Sequence, residues 1–422
     1  MSATSIPLGG LFLFMEGVMK IIACADLHVG RIPFSMGEDC LKVAVERALV
    51  EKPDVFLIAG DLIDNEKNVY NSYASVVNSL KKLSDNLIKV IMVLGNHDFS
   101  ISSNILNDSP LVTILGLNGN WDYYDYKDVR FIGWSFNSSH YERNPFASFN
   151  SSLLSFEGAK IGLLHCDLVA KTQESVYAPV NKDQLTSLNV NQWVLGHIHK
   201  CSDNNLSNYF YCGSPLPLNK SDLGPHGIWE IEVDLNGKCS SEFIEISPVR
   251  IENYNYEISY PDKSGVEDVF KIDLIKNIES FTSSLNLNSS IKKLYLNIQF
   301  QGVLNSNYLL ENLLELEDDR FITQIGEVQV YLRKFIDSTR IELNYKTLKD
   351  TPGPIGILAN KILEINENGQ IPLNLSSQLN HVNNSLAFNN LKPMEEEEAL
   401  EVYKSALTKV LRKMLKKGDN NE

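Results

Sequence analysis

The sequence lacks several features that would each indicate a particular class of protein. Its six cysteines include no Cys-x-x-Cys pair and no regular spacing, so neither a disulfide framework nor a thiolate metal site is expected. The apolar segment near the N-terminus is short and has no basic flank, which argues against a signal peptide or a membrane span. We therefore expect a cytoplasmic protein with reduced cysteines and no membrane association.

Positive charge is also in short supply. The chain has 38 lysines and arginines against 53 aspartates and glutamates, which gives a formal net charge of −15. This balance argues against a generally basic surface that coats nucleic acid, although a local positive groove or metal ions would still hold a phosphodiester. The length of 422 residues is enough for two or three domains, and residues 1–19 are expected to be an extra segment before the first of them.

From residue 20 onward, short apolar runs alternate with amphipathic segments. Strands are predicted at KIIACADLH, DVFLIAGDLID and KVIMVLGNHD, and helices at LKVAVERALV and VYNSYASVVNSLKKLS. This order predicts βαβ units and a mainly parallel sheet that helices cover on both faces. Six later runs are spaced like strands of a second, mixed sheet: VRFIGWSF, AKIGLLHCDL, NQWVLGHIH, YFYCGSP, GIWEIEVD and EFIEI. Residues 20–248 are therefore expected to form one layered α/β domain.

The composition changes between residues 248 and 265, where prolines and polar residues indicate a domain boundary. Residues 249–350 are expected to form a smaller α+β domain with strands KKLYLNIQF and EVQVYLRKF and a helix NYLLENLLELE. In residues 351–422 we expect a helix at IGILANKILEI, then a linker at LSSQLNHVNNSLAFNNL, and a C-terminal helix.

The C-terminal helix is predicted to be amphipathic. Its glutamates come first and its lysines last, as the helix dipole favours. Its apolar stripe comprises Leu400, Tyr403, Leu407, Val410, Leu411 and Met414. Two interpretations remain open: the stripe packs on its own protein, or it docks on a partner.

Five of the eight histidines lie at the ends of predicted strands. They are His28, His97, His165, His197 and His199. Asp26 and Asp61 occupy equivalent places, and the carboxyl ends of parallel strands meet at one edge of a sheet. In Asp-x-His and His-x-His, an extended backbone would present both side chains on one side. The other three, His140, His226 and His381, are expected to be ordinary surface or turn residues.

This set of side chains indicates a metal site. For GNHD at 95–98 alone, a turn that opens a helix would be the better explanation. Imidazoles with carboxylate and amide oxygens, and no cysteine, suit Mn, Fe or Zn. Seven candidates are too many for one four-coordinate zinc, whereas Asp61 could bridge two ions about 3.5–4 Å apart. Such a pair generates a hydroxide in line with a phosphorus atom, so phosphoester hydrolysis is the predicted chemistry.

The motifs DLH, GDLID, GNHD, the single His165 and GHIH, in that order, resemble the signature of the calcineurin-like metallophosphoesterases over roughly residues 20–248. The resemblance implies a four-layer sandwich, in which two mixed β-sheets are flanked by helices. It implies one metal held by Asp26, His28, Asp61 and His199. It implies a second metal held by Asp61, Asn96, His165 and His197.

The same resemblance gives His97 a different role from the ligands. It implies that His97 donates a proton to the leaving oxygen or stabilises the transition state, and that the carboxylate of Asp64 orients it. Archaeal and eukaryotic relatives have a histidine where this chain has Asp64, so their detailed exonuclease mechanism is not transferred. Arg31, just after the first motif, is a candidate contact for a substrate phosphate.

The segments KIIACADLHVGR and YFYCGSPLPLNKSDLGPHGIWEIEVD, with the added α+β domain and C-terminal helices, are similar to bacterial DNA repair exonucleases of the SbcD and YhaO type. This similarity implies an Mn²⁺-dependent DNA phosphodiesterase with 3′–5′ exonuclease and single-strand endonuclease activity, with Fe²⁺, Zn²⁺ or Mg²⁺ as alternative metals. It implies a partner, an SbcC-like coiled-coil ATPase, docked by the C-terminal helix. The α+β domain would cap or position DNA, and a homodimer fits the family.

Two other functions remain open at this stage. The acidic charge favours a nucleotide or small-molecule phosphodiesterase, whereas the added domains disfavour it. A DNA-binding scaffold without catalytic activity is disfavoured because every motif position is filled.

Overall fold

The computed structural model describes residues 18–31, 39–64, 69–100, 112–170, 173–203, 207–259, 266–305, 320–369, 373–384 and 394–418. The chain divides into two compact units. The first comprises residues 1–252, 285–296 and 321–331, and the second comprises residues 253–284, 297–320 and 332–422.

The first unit contains two sheets. Its strands are β1 (Met19–Cys24), β2 (Val55–Ala59), β3 (Lys89–Val93), β4 (Val112–Ile114), β5 (Trp121–Tyr126), β6 (Val129–Trp134), β7 (Ala159–His165), β8 (Gln192–Gly196), β9 (Tyr209–Tyr211), β10 (Gly227–Val233) and β11 (Cys239–Glu245). Its helices are α1 (Cys40–Glu51), α2 (Val69–Asp85) and α3 (Lys182–Ser187), with 3₁₀ turns at Leu117–Gly119, Pro145–Ser148 and Ser151–Leu154.

The first sheet has the strand order β11-β10-β1-β2-β3-β4, and the second has the order β5-β6-β7-β8-β9. Strands β1 to β4 are parallel, as are β6 to β9, whereas β10, β11 and β5 pair antiparallel with their neighbours. Both sheets are therefore mixed. The predicted parallel strands β1, β2 and β3 and the helices α1 and α2 are confirmed.

The alternation of side chains along the strands produces the layers. Ile21 and Leu57 point into the core between the two sheets, where they meet residues such as Phe131 of the second sheet. Ile22 and Phe56 point the other way and pack under α1 and α2. A third core covers the outer face of the second sheet. This arrangement confirms the four-layer sandwich.

Two predictions about the sheets are wrong. Helices do not cover both faces of the first sheet, because one of its faces packs against the second sheet. GIWEIEVD and EFIEI form β10 and β11, and these join the first sheet rather than the second. Strand β10 runs antiparallel to β1, with Ile231 opposite Ile21. Spacing along the sequence predicts that a strand exists, but the pairing of that strand depends on which sheet edge is free, which spacing does not reveal.

Strands β12 (Val249–Ser259), β13 (Lys293–Asn305), β14 (Arg320–Ile325), β15 (Val328–Asp337) and β16 (Arg340–Glu342) form a third sheet. Its order is β12-β13-β15-β14, and β16 pairs with β13. The strands at KKLYLNIQF and EVQVYLRKF are confirmed as β13 and β15. Strand β12 was not predicted, because it is rich in polar residues and its buried side chains change phase within the strand. Val249 and Ile251 lie at odd positions, whereas Tyr256 and Ile258 lie at even ones.

The remaining helices are α4 (Val266–Ser284), α5 (Tyr345–Leu348), α6 (Pro354–Asn368), α7 (Leu373–Asn383) and α8 (Glu396–Gly418). Helices α6 and α8 confirm two predictions. Helix α7 contradicts the predicted linker over part of its length, since Leu379 is buried within it. The predicted helix at NYLLENLLELE lies outside the described residues. Among the helices of the described residues, none is long and apolar enough to cross a membrane.

Helix α8 packs on its own chain. Leu411 is fully buried in a cluster with Ala359 and Ile362 of α6, and Leu407 and Leu415 pack against this cluster. Val410 was expected in the same stripe, but it is 43% exposed. Val402, which was not expected there, is also exposed, at 56%. The helix therefore buries one face and leaves valines on another.

We predict that Leu411→Ala opens helix α8, because it removes a fully buried side chain from the α6–α8 cluster. Hydrogen exchange measured by mass spectrometry should show a loss of about 2–5 kcal/mol in the free energy of opening of residues 396–418. Val410→Ala is the matched control on the same helix and should change that free energy by less than about 1 kcal/mol, since the side chain is half exposed. Equal effects of the two substitutions would contradict this packing.

Candidate metal centre

The predicted ligands come from strand ends of both sheets of the first unit. Asp26 and His28 follow β1, Asp61 follows β2, and Asn96 follows β3. From the second sheet, His165 ends β7, and His197 and His199 follow β8. The facing of the two sheets brings these ends to one edge of the sandwich.

The backbone at this edge adopts an unusual conformation. Asp26, His28, Asp61 and His197 all have positive φ, at 53°, 43°, 54° and 99°. Such a conformation costs a non-glycine residue about 1–3 kcal/mol and concentrates at functional sites. Hydrogen bonds between the loops hold it, from the His28 N–H to the Asp61 carbonyl at 2.9 Å, for example. The expectation of an extended backbone through Asp-x-His and His-x-His is therefore wrong.

The carboxylate of Asp61 lies at the centre of the cluster. Its Oδ2 is 3.6 Å from His28 Nε2 and 3.3 Å from His165 Nε2. Its Oδ1 accepts a hydrogen bond from the backbone N–H of His97 at 3.0 Å. One carboxylate oxygen thus faces imidazoles from two different sheets, which is the arrangement that a bridging ligand requires.

Two groups of potential metal ligands share Asp26. The first is Asp26, His28 and His199, and the second is Asp26, Asp61 and His165; within each group the ligand atoms lie within 4.8 Å of one another. Asn96 Oδ1 is 3.1 Å from His165 Nε2. The structure therefore brings six of the seven predicted ligands together.

The seventh predicted ligand, His197, stands slightly apart. Its ring centroid is 5.3 Å from that of His165, and its backbone N–H donates to Asp26 Oδ1 at 3.0 Å. Its Nε2 lies 3.2 Å from Asp167 Oδ1, so this nitrogen faces away from the other ligands toward a carboxylate.

The surroundings of the His28 ring indicate whether the site suits a cation. The residue is 2% exposed, and neither of its ring nitrogens has a hydrogen-bond partner among the described residues. Nδ1 lies 3.2 Å from Asp64 Oδ1, but without hydrogen-bond alignment. A buried nitrogen without a partner costs about 1–3 kcal/mol. A divalent cation on Nε2 would remove this cost, and the donor set of imidazoles and hard oxygens suits such a cation.

The charges in the cluster support the same conclusion. Burial alone would raise the pKa of Asp61, but the imidazoles of His165 and His28 outweigh burial and hold the pKa well below its usual range. Burial opposes protonation of His165, yet attraction to Asp61 outweighs it and raises the pKa of this histidine to about 9. The cluster therefore keeps Asp61 ionised and attracts positive charge.

His97 and Asp64 are in contact, but not as expected. His97 Nδ1 is 2.6 Å from the backbone carbonyl of Asp64, whereas the carboxylate of Asp64 is near His28 and within 4.0 Å of the Arg31 guanidinium. With Nδ1–H donating to the carbonyl, the Nε2 of the exposed His97 is left for other chemistry. Arg31 also donates to Asn219 Oδ1.

Glycines permit the close approach of these loops. A Cβ atom on Gly95 would lie 2.1 Å from Asp61 Oδ1, and one on Gly196 would lie 2.0 Å from the Ala59 carbonyl. Position 95 of GNHD therefore requires glycine, because a side chain there would collide with Asp61. The glycine in the motif could have indicated this close approach of the two loops.

Three carboxylates at the site were not among the predicted site residues. Asp98 is 1% exposed, and it accepts hydrogen bonds from the N–H groups of Leu62 and Gly95, both at 2.6 Å. It thus joins the loops after β2 and β3. Burial, together with the charge of Asp61, raises the pKa of Asp98 to about 7. The others are Asp167 and Asp222, and the motifs gave no sign of either.

Comparison with known proteins was consistent with this geometry. The sequence model of the calcineurin-like phosphoesterase family matches residues 19–201. The chain is 26% identical to the SbcD component of the nuclease SbcCD of Staphylococcus saprophyticus, over 59% of this chain and 75% of that protein. It is 25% identical to the DNA double-strand break repair protein Mre11 of Methanocaldococcus jannaschii, over 61% and 74%. It is 26% identical to the uncharacterized metallophosphoesterase YhaO of Bacillus subtilis, over 47% and 50%.

We predict that Asp98→Ala destabilises the first unit by about 2–5 kcal/mol, because two buried N–H groups lose their acceptor. All four tryptophans (Trp121, Trp134, Trp193 and Trp229) belong to this unit, so urea unfolding followed by their fluorescence reports on it. Asp98→Asn keeps one accepting oxygen and should cost about half as much. A loss below about 0.5 kcal/mol for Asp98→Ala would contradict this role.

Proposed function

We propose that this chain, which carries a calcineurin-like phosphoesterase domain and is a metal-dependent hydrolase of phosphoester bonds, acts on DNA. The observation that carries the metal-dependent hydrolysis is the position of the Asp61 carboxylate between the imidazoles of His28 and His165. DNA as the substrate rests on similarity to the relatives. Two of the related proteins are named as a component of a nuclease and a DNA double-strand break repair protein.

In this proposal the site holds two divalent cations, with Mn²⁺ as the preferred metal. Asp26, His28, Asp61 and His199 would hold one of them. Asp61, Asn96, His165 and His197 would hold the other. When bound, such a pair lowers the pKa of a water molecule and neutralises charge on a phosphoryl group.

His97 would act on the leaving group. Its backbone is fixed by Asp61 Oδ1, and its Nδ1 is fixed by the Asp64 carbonyl. Protonated at Nε2, the ring would give that proton to the departing sugar oxygen as the phosphorus–oxygen bond breaks. A sugar alkoxide is a poor leaving group, so this proton transfer matters more for DNA than for an activated ester.

Arg31 would contact the substrate backbone. Its side chain is 32% exposed, and it is tethered by Asn219 beside Asp64. A guanidinium held in this way can meet a phosphate without first losing much conformational freedom. It would supply locally the positive charge that the chain lacks overall.

The finer parts of the proposal rest on similarity to the relatives. They are 3′–5′ exonuclease and single-strand endonuclease activity, an SbcC-like coiled-coil ATPase as partner, a homodimer and a cytoplasmic location. Residues 249–350 would position DNA. Helix α8 would dock the ATPase through the face that bears Val402 and Val410, which are exposed although the opposite face is buried.

We predict that Mn²⁺-loaded protein cleaves linear duplex and single-stranded DNA. Activity on these substrates would be compared with activity on bis-p-nitrophenyl phosphate, with and without a chelator. Cleavage of the small ester alone, even with an SbcC-like ATPase added, would favour the alternative of a small-molecule phosphodiesterase, for which the net charge of −15 is the supporting observation. Failure to cleave either substrate would favour a DNA-binding scaffold.

We predict that His97→Ala lowers kcat for DNA by about 10²–10⁴-fold and leaves Mn²⁺ affinity unchanged, because the residue donates a proton but does not hold metal. Asp61→Asn should abolish both cleavage and full metal binding, as measured by calorimetry. His140→Ala, which removes an exposed histidine outside the ligand groups, is the control and should have no effect. Full activity of His97→Ala would contradict the proton-donor role.

A further inference from the structure

Each imidazole of the segment GHIH faces a carboxylate that lies outside the predicted ligand set. His197 Nε2 is 3.2 Å from Asp167 Oδ1, and His199 Nδ1 is 3.6 Å from Asp222 Oδ2. Asp167 follows β7, whereas Asp222 lies between β9 and β10. The two contacts therefore involve different ring nitrogens and carboxylates from different loops.

Asp167 is held in place by its own loop. Its backbone N–H donates to the Tyr177 carbonyl and its carbonyl accepts from the Val180 N–H, both at 2.9 Å. Its second carboxylate oxygen, Oδ2, accepts from the Ser175 hydroxyl. The other oxygen, Oδ1, therefore faces His197, and the position of the Asp167 carboxylate does not depend on that histidine.

Asp222 is held by a tight turn. Its Oδ2 accepts from the N–H groups of Leu218 and Asn219, both at 3.0 Å. The side chain of Asn219 in turn accepts from Arg31. The turn therefore fixes a carboxylate oxygen beside His199 Nδ1 and connects it to the guanidinium of Arg31.

The positive φ of 99° at His197 explains why the two rings meet different partners. In an extended His-x-His segment the rings would share one side and one set of neighbours. The turned backbone instead directs them to separate loops.

A neutral imidazole has one N–H, and donating it to a carboxylate leaves the lone pair on the other nitrogen. We propose that Asp167 and Asp222 are positioning residues that fix the rings of His197 and His199 in opposite tautomers, so that His197 presents Nδ1 and His199 presents Nε2 to metal. This inference rests on the metal centre of the proposed function. Carboxylates that orient metal-binding histidines in this way typically contribute 10–100-fold to metal affinity.

The direct test uses nuclear magnetic resonance of the full chain, labelled with ¹⁵N in its histidine rings and loaded with ¹¹³Cd²⁺. Coupling of ¹¹³Cd should appear at Nδ1 of His197 and Nε2 of His199, with assignments made by single His→Gln substitutions. The exposed His140 and His381 serve as internal controls without coupling. Coupling through the opposite nitrogen of either ring would overturn the inference.

Substitutions test the carboxylates themselves. Asp222→Ala should weaken Cd²⁺ and Mn²⁺ binding at one of the two sites by about 10–100-fold, measured by calorimetry. Asp222→Asn should weaken it less, because the amide oxygen can still accept from Nδ1–H. Asp234→Ala is the matched control: this carboxylate also accepts from two backbone N–H groups, those of Asn236 and Lys238, in a turn at the β10–β11 connection. An equal loss for Asp234→Ala and Asp222→Ala would overturn the role of Asp222.

For Asp167 the control is Ser175→Ala, which removes one of its hydrogen bonds and leaves the carboxylate beside His197. Asp167→Ala should weaken binding at the other metal site by about 10–100-fold and Ser175→Ala by much less. Wild-type affinity in Asp167→Ala would overturn its role. Absence of any ¹¹³Cd coupling would overturn both this inference and the metal centre, whereas the expected coupling in a protein that leaves DNA intact would reject only DNA as the substrate.

Discussion

The contact of one buried carboxylate, that of Asp61, with the imidazoles of His28 and His165 is the interaction on which the rest of this site depends. A buried negative charge is costly unless it is paired, and here histidines from both sheets do the pairing. The same carboxylate accepts a hydrogen bond from the backbone N–H of His97, so the placement of the proposed proton donor also depends on Asp61. Strained backbone at four neighbouring positions is held in place by these contacts and by hydrogen bonds between loops.

The sandwich explains why residues so far apart in sequence can converge. Its two sheets pack through alternating apolar side chains, which sets their spacing, and the parallel strands of both sheets end at the same edge. Asp98 then joins the loops after β2 and β3 through two backbone N–H groups. The precision of the site therefore comes from backbone hydrogen bonds as well as from the ligand side chains themselves.

Much of this could be predicted from the sequence, because buried parallel strands are continuous apolar runs and the residues that follow them are conspicuous. The strands before His28, Asp61 and Asn96 were found in this way. The sheet to which β10 belongs depends on the pairing of distant segments, and β12 was hidden by its polar residues. The use of the Asp64 carbonyl in place of its carboxylate, and the approach of Asp167 and Asp222, depend on loop conformations with positive φ, which residue types alone do not specify.

The pairing of β10 with β1 has a consequence for the limits of the catalytic unit. The segment that matches the phosphoesterase family ends at residue 201, yet the strand that covers the free side of β1 lies at residues 227–233. A chain shortened to the matching segment would expose the N–H and C=O groups along one edge of its central sheet, and such an edge is a template for aggregation. It would also lose the turn that contains Asp222. A shortened chain that retains this pairing and the Asp222 turn must therefore extend at least through β10.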